Sequence, residues 1–207
     1  KILDNALIRE NFQRNFALKK LYEVNDNDLI LINDLDEIPE LKNFSYKNKI
    51  TIFKQRMLYF KFNLVYKNLS WTGSKICKKK DLISPQWLRN IKTRKYPLWR
   101  LDIFFSKKKY NNIEIIENGG WHFTNIKTAD EIHHKMKSFL HHFEYENSGL
   151  NPEMIEKLIK DKKALYNYNA DQRENKWSNN TKLEKINLEF LPDYINENLD
   201  KYQNWLS

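Results

Sequence analysis

Asp34 and Asp36 stand two residues apart in the stretch LILINDLDEIPE, residues 29–40, with Glu37 directly after them. In an extended loop the period of two sends both aspartates to one side and Glu37 elsewhere. Two carboxylates held roughly 5 Å apart repel each other, and a hard divalent cation relieves that repulsion. Such an ion also accepts diphosphate oxygens and neutralises charge as a leaving group departs. A nucleotide-activated substrate fits this chemistry, and hydrogen-bonded acids in a turn or helix cap fit the same residues. A second cluster is NGGWHF, residues 118–123, where His122 lies between Trp121 and Phe123 after paired glycines. A neutral imidazole coordinates Mn²⁺ or donates to phosphate; the alternative is a buried histidine that fixes its loop.

These residues need elements to hold them. Residues 29–32 form a short continuous apolar run, which predicts a central parallel strand covered on both faces. The run stops at Asn33 and Asp34, and Pro39 cannot continue a ladder inside a sheet. The acids therefore occupy a loop at the carboxyl end of a core strand, where open α/β sheets place ligands. Upstream, Leu7, Phe12, Phe16, Leu21 and Tyr22 recur at helical spacing over residues 5–22, with Arg9 and Arg14 among the polar positions. Residues 50–65 alternate imperfectly, which predicts a partly buried strand and its return. Residues 71–74 read as a turn before 75–80, residues 84–91 as a helix opened by Pro85, and residues 113–116 as a strand.

Thr128 and Glu131 form a capping box for a helix that carries Ile132, Met136, Phe139, Leu140 and Phe143 on its apolar face. Asn151 and Pro152 start another, with Met154, Ile155, Leu158, Ile159 and Leu165 buried. Residues 169–180 are polar and read as a mobile loop, and residues 188–205 as a strand or turn followed by a helix. The expected organisation is a catalytic core over residues 1–168, with the loop and helical extension of residues 169–207 packed on the same domain.

Composition limits the function classes. The 207 residues, 41% hydrophobic, suffice for a substantial core. Net charge is +9, from 36 Lys and Arg against 27 Asp and Glu, which suits an anionic partner, although a diffuse Lys, Asn and Ile bias gives the same total. Cys77 is the only cysteine, so an intrachain disulfide is excluded and a cysteine zinc centre disfavoured. No apolar run approaches the roughly 20 residues of a membrane span, and no signal peptide opens the chain.

The segment from Arg9 through NDNDLILINDLDEIPE resembles the core of glycosyltransferase family 17, the β-1,4-mannosyl-glycoprotein 4-β-N-acetylglucosaminyltransferase-like enzymes. Further elements occur in the family's order: WTGSK at 71–75, SPQWLR at 84–89, NGGWHF at 118–123 and KMKSFLHHFE at 135–144, with a weaker match at LPDYINEN, 191–198. The resemblance implies an α/β, GT-A-like mixed sheet flanked by helices, lacking the N-terminal strand–helix–strand portion. It further implies an inverting, metal-dependent transferase that moves N-acetylglucosamine from UDP-N-acetylglucosamine to a mannose-containing glycan or glycoprotein, forming a β-1,4 linkage.

By the same carry-over, Asp34 and Asp36 bind the donor's ribose and diphosphate, the latter through Mn²⁺ or Mg²⁺, with Asp36 the first choice of metal ligand. His122 is a second ligand or a diphosphate contact, and Trp121 packs a sugar or uracil face. Arg9, Arg14, Lys75 and Arg89 are candidates to neutralise diphosphate or brace the acidic loop. Inversion needs a base for the acceptor hydroxyl. Glu144 is the first choice, although the family's acid falls one position earlier, at Phe143; Asp130 and Glu117 are the alternatives.

Other classes compete with this reading. A noncatalytic carbohydrate-binding or assembly module follows if the truncated front leaves no donor pocket. A basic nucleic-acid-binding protein would need Lys75, Arg94, Lys95 and residues 78–80 and 107–109 gathered on one face, and no nucleic acid is expected. A phosphatase has the strand and the acid spacing but not the surrounding signature. The expected compartment is the cytoplasm, or the Golgi lumen for a chain with an N-terminal anchor.

Overall fold

A computed structural model of the chain describes residues 2–138, 142–170, 176–177 and 181–207. Phe139 and Leu140, expected on a helix face, and most of the polar loop at 169–180 lie outside the described residues. The fold is mixed α/β, with two sheets flanked by helices. Two compact units form, each from two stretches of chain: Lys1–Gln55 with Trp71–Gly120, and Arg56–Ser70 with Trp121–Ser207. Residues 169–207 thus share a unit with the strand that begins at Gly120. Among the described residues, no helix is long and apolar enough to cross a membrane.

The first unit opens with α1 (Ile2–Phe16) and a 3-10 segment, Ala17–Glu23. Its four-stranded sheet has the order β1-β6-β3-β7, from β1 (Leu29–Ile32), β3 (Ile50–Phe53), β6 (Lys75–Lys78) and β7 (Ile113–Ile116); a three-residue strand, β2 (Glu37–Pro39), follows the acidic segment. β6 runs antiparallel to both β1 and β3, and β3 runs parallel to β7. β1, β3 and β7 therefore point the same way, and the residues after them share one edge. β1 is an edge strand beside an antiparallel neighbour, not the expected central parallel strand; Leu29 is exposed and Ile30 buried. Four apolar residues cannot distinguish the two by pattern, because burial on both faces and burial on one give the same short run.

Behind this sheet, Ile50, Ile52, Cys77, Trp87, Leu88, Ile91 and Ile113 form one buried cluster. Trp87 and Leu88 come from α2 (Pro85–Asn90), whose start is fixed by Pro85 at the first turn and by Ser84, which accepts from the Trp87 backbone N–H at 3.1 Å. Burial in this cluster pushes the Cys77 thiol up to about 12. The apolar residues of α1 and the 3-10 segment behave differently: Leu7, Phe12, Phe16 and Tyr22 are exposed instead of facing a core. The helix is held by polar contacts, with Asn15 accepting from the Gln86 backbone N–H at 3.0 Å and Arg14 donating to the Gln86 side chain.

The second unit carries β4 (Gln55–Tyr59), β5 (Leu64–Trp71), β8 (Gly120–Thr124) and β9 (Glu184–Lys185) in the order β8-β4-β5-β9. β4 and β8 are parallel, and β5 and β9 antiparallel. The run expected as one strand and its return is therefore three strands, because the chain leaves one sheet at Phe53 and joins the other at Gln55. Leu58, Trp121, Leu191 and Ile195 make a core cluster here. α3 (Ala129–Ser138) packs against α4 (His142–Asn147) and α5 (Pro152–Lys160). The capping box is present: the Thr128 N–H donates to Glu131 at 2.9 Å and the Glu131 N–H to the Thr128 hydroxyl at 3.4 Å. Phe143 and Met154 are exposed, not buried as their spacing suggests. Two short helices, α6 (Asp193–Asn196) and α7 (Leu199–Tyr202), close the unit.

Candidate functional site

The acidic segment is a closed turn. The Glu37 N–H donates to the Asp34 carbonyl at 3.1 Å, and the Asn33 side-chain amide donates to the Asp34 carbonyl at 3.0 Å and the Glu37 carbonyl at 2.8 Å. The alternation that would set Asp34 and Asp36 on one side belongs to extended chain and does not apply to such a turn. Leu35 and Asp36 occupy its two central positions, Leu35 exposed and Asp36 half-buried.

Glu37 is the fully buried member. One carboxylate oxygen accepts from the Trp71 indole N–H at 2.6 Å; the other accepts from Arg89 at 2.7 Å and from the Asp34 backbone N–H at 2.9 Å. Gly73 makes room for it, since a Cβ on Gly73 would stand 1.7 Å from a Glu37 oxygen. A second glycine serves the next strand. Gly120, at φ +131°, lets the chain pass where a Cβ would stand 2.2 Å from the Ile38 carbonyl oxygen.

Arg89 bridges the two acids, giving its other terminal nitrogen to Asp34 at 2.7 Å. The second Asp34 oxygen accepts from Arg14 at 3.0 Å, so two guanidinium groups hold a carboxylate whose side chain is still 40% exposed. Burial works against the charged form of Arg14, but Glu10 at 2.9 Å and Asp34 outweigh it and hold its pKa above the ordinary value. Arg14 stays cationic.

Lys75 is engaged by the backbone. Its buried ammonium donates to the backbone carbonyls of Arg89 at 2.6 Å and Ile91 at 2.7 Å, and so caps the C-terminal end of α2. Burial, reinforced by the Arg89 charge and only partly offset by Glu37, lowers its pKa to about 8. The lysine fixes the helix end from which Arg89 reaches the turn.

Beside the turn lies a cleft of about 400 Å³, lined by Glu10, Gln13 and Arg14 of α1, by Leu31 and Ile32 of β1, and by Asn33 and Asp34 among others. Arg9 is exposed on the same helix. At the shared strand edge, Glu117 follows β7 and pairs with Lys54 at 2.6 Å; it does not line the cleft.

The remaining sequence candidates belong to the second unit. Trp121 and His122 are buried in β8, a strand and not a loop. The Trp121 indole N–H donates to the Phe190 carbonyl at 2.6 Å, and its ring joins the Leu58, Leu191 and Ile195 cluster, which commits it to the core instead of to a sugar or uracil face. Asp130 is exposed in the first turn of α3 and Glu144 in the first turn of α4.

Among the described residues, no group of three or more His, Cys, Asp or Glu is placed to hold a metal ion. The acids of the turn suit a different kind of site, in which one or two carboxylates hold a hard cation and substrate oxygens and water complete its shell. Both Asp34 oxygens are engaged by arginines.

Sequence reasoning missed Glu10, Gln86, Trp71 and Gly73. Glu10 and Arg14 carry a signal, the i,i+4 spacing of a helical ion pair. Trp71 and Gly73 belong to the WTGSK motif, where attention fell on the lysine. Family models, curated proteins and solved structures were each compared with the chain, and none matches it.

Proposed function

We propose that the chain is an inverting, metal-dependent glycosyltransferase with a GT-A-like nucleotide-binding arrangement. It transfers N-acetylglucosamine from UDP-N-acetylglucosamine to a mannose-containing glycan through a β-1,4 linkage. The observation that carries this reading is the acidic turn after β1, braced by Arg14 and Arg89 beside a cleft of about 400 Å³. That volume is in the range of small-molecule sites, and three co-directional strands end at the edge bearing the turn. The ordered resemblance of five segments, with a weaker match in a sixth, supplies the substrate class.

In this reading Arg14 contributes positive charge to a cleft that takes the donor's diphosphate. Asp34 holds Arg14 and Arg89 in place, and Asp36 is the direct ligand of Mn²⁺ or Mg²⁺. A cation there supplies charge neutralisation for the departing diphosphate. Glu37 fixes the turn from beneath. The acceptor hydroxyl loses its proton to Glu144, with Asp130 and Glu117 as the alternative bases.

A binding module without turnover is the second reading. It is favoured by Glu117, the base candidate in the unit that holds the turn, which pairs with Lys54 and stands off the cleft.

Calorimetry of the purified chain with UDP-N-acetylglucosamine tests donor recognition. Binding is expected to strengthen with Mn²⁺ and to lose that dependence in Asp36→Ala. A folded wild type that does not bind, or a variant with unchanged metal dependence, defeats the assignment. A product assay with mannose-containing glycans then separates the two readings: product marks the transferase, and binding without product marks the module.

A further inference from the structure

The loop between α2 and β7 has no part in the turn or the cleft, yet it carries the first unit's densest group of exposed apolar side chains. Within eight residues, Leu98, Trp99, Leu101, Phe104 and Phe105 are all exposed, Trp99 at 79% and Phe105 at 91%. Exposed aromatic clusters of this kind mark interaction surfaces. Basic residues surround them: positions 92, 94, 95, 100, 107, 108 and 109 are Lys or Arg, against one acid, Asp102.

The loop is built, not loose. Ile103 is buried, the Trp87 indole N–H donates to the Lys107 carbonyl at 2.7 Å, and the Lys92 N–H donates to the Lys108 carbonyl at 2.8 Å. Asp102 accepts from Arg100 at 2.8 and 2.7 Å and from Lys109 at 2.6 Å, so the single acid is consumed inside the loop. Arg100 and Lys109 also lie 5.3 Å and 5.7 Å from the centre of the Tyr96 ring. The base is clamped, while the apolar side chains project.

We infer that this loop docks the protein on anionic lipid bilayers. Trp, Phe and Leu enter the boundary between headgroups and acyl chains, and the lysines and arginines around them meet the acidic headgroups. Charge selects lipid over a second copy of the chain, because two such loops facing each other would set positive against positive. The inference is independent of the sugar-transfer reading, since no donor or acceptor enters it.

Co-sedimentation of the full chain with vesicles tests it, using phosphatidylcholine alone and phosphatidylcholine with phosphatidylserine. Binding to the serine-containing vesicles is expected to exceed binding to neutral ones by about tenfold or more and to weaken with salt. The double variant Trp99→Ser/Phe105→Ser is expected to lose about tenfold or more of that binding with an unchanged urea midpoint, because both side chains are exposed. Equal binding to both vesicle types, no binding by the folded wild type, or full binding by the variant overturns the inference. Loop-dependent binding of a single-stranded oligonucleotide without vesicle binding overturns it in favour of nucleic acid. A loop-dependent dimer that leaves vesicles unbound overturns it in favour of self-association.

Discussion

The first unit contains two carboxylate–cation clusters with the same chemistry and opposite surroundings. Glu37 and Asp34 share Arg89, and Glu37 is fully buried under Trp71 and over Gly73. Asp102, between Arg100 and Lys109, makes contacts just as short, yet it lies at the surface. Its hydrogen bonds from Arg100 and then Lys109 lower its pKa to about 2. Ion-pair geometry alone says little about what a pair is worth. Desolvation decides, since an exposed pair is screened by water and salt, whereas a buried carboxylate stripped of partners has nowhere to place its charge.

The largest effect expected from breaking this contrast is at Glu37. Glu37→Ala leaves Arg89 and the Trp71 N–H without their acceptor and is expected to cost about 3–5 kcal/mol in urea unfolding. Gly73→Ala is expected to approach that loss, because its methyl would occupy the place of the carboxylate. Combining the two is expected to recover part of the sum, and strict additivity in the cycle would show that the two residues do not share that space.

Arg89→Lys is expected to cost about 1.5–3 kcal/mol, because one ammonium cannot hold both acids in the fork geometry of a guanidinium. Circular dichroism melts of the variant check it, and a midpoint equal to wild type would remove Arg89 from the role of bridge.

The third effect is a pH slope. Lys75 has a folded pKa of about 8, below the ordinary lysine value. Above pH 8 the unfolded chain therefore holds a proton that the folded chain has released, and stability rises with pH through this group. The rise is at most about 1.4 kcal/mol per pH unit. Cys77 acts in the opposite sense from about pH 9, where its unfolded thiol ionises and its folded thiol, near 12, does not. Urea midpoints between pH 7 and 9 are thus expected to climb in wild type relative to Lys75→Met, and parallel profiles would contradict the assignment. The smallest effect is at Asp102: Asp102→Asn is expected to leave the urea midpoint unchanged, which the same titration reads.

What the sequence disclosed follows the same division between local and distant physics. The strand at 113–116, the helix opened by Pro85, the Thr128 and Asn151 helix starts, and the position of the acids at the end of β1 all rest on residues a few places apart. Glu37, by contrast, is held by Arg89 across 52 residues and by Trp71 across 34, and no periodicity carries that information. Lys75 reads in the sequence as a charge for diphosphate, whereas its partners are two carbonyls at a helix end, 14 and 16 residues away. The helix at α1 was legible from its spacing, but spacing shows that a face is apolar and not whether anything covers it.

Cys77 gives the first unit a built-in clock. It is the chain's only cysteine, it pairs with Ile30 on one side and Ile50 on the other, and it is fully buried in the sheet core. A thiol reagent reaches it only when those strands part, so the rate of its alkylation times the opening of this sheet. No label has to be engineered, and the second unit has no thiol to confuse the signal.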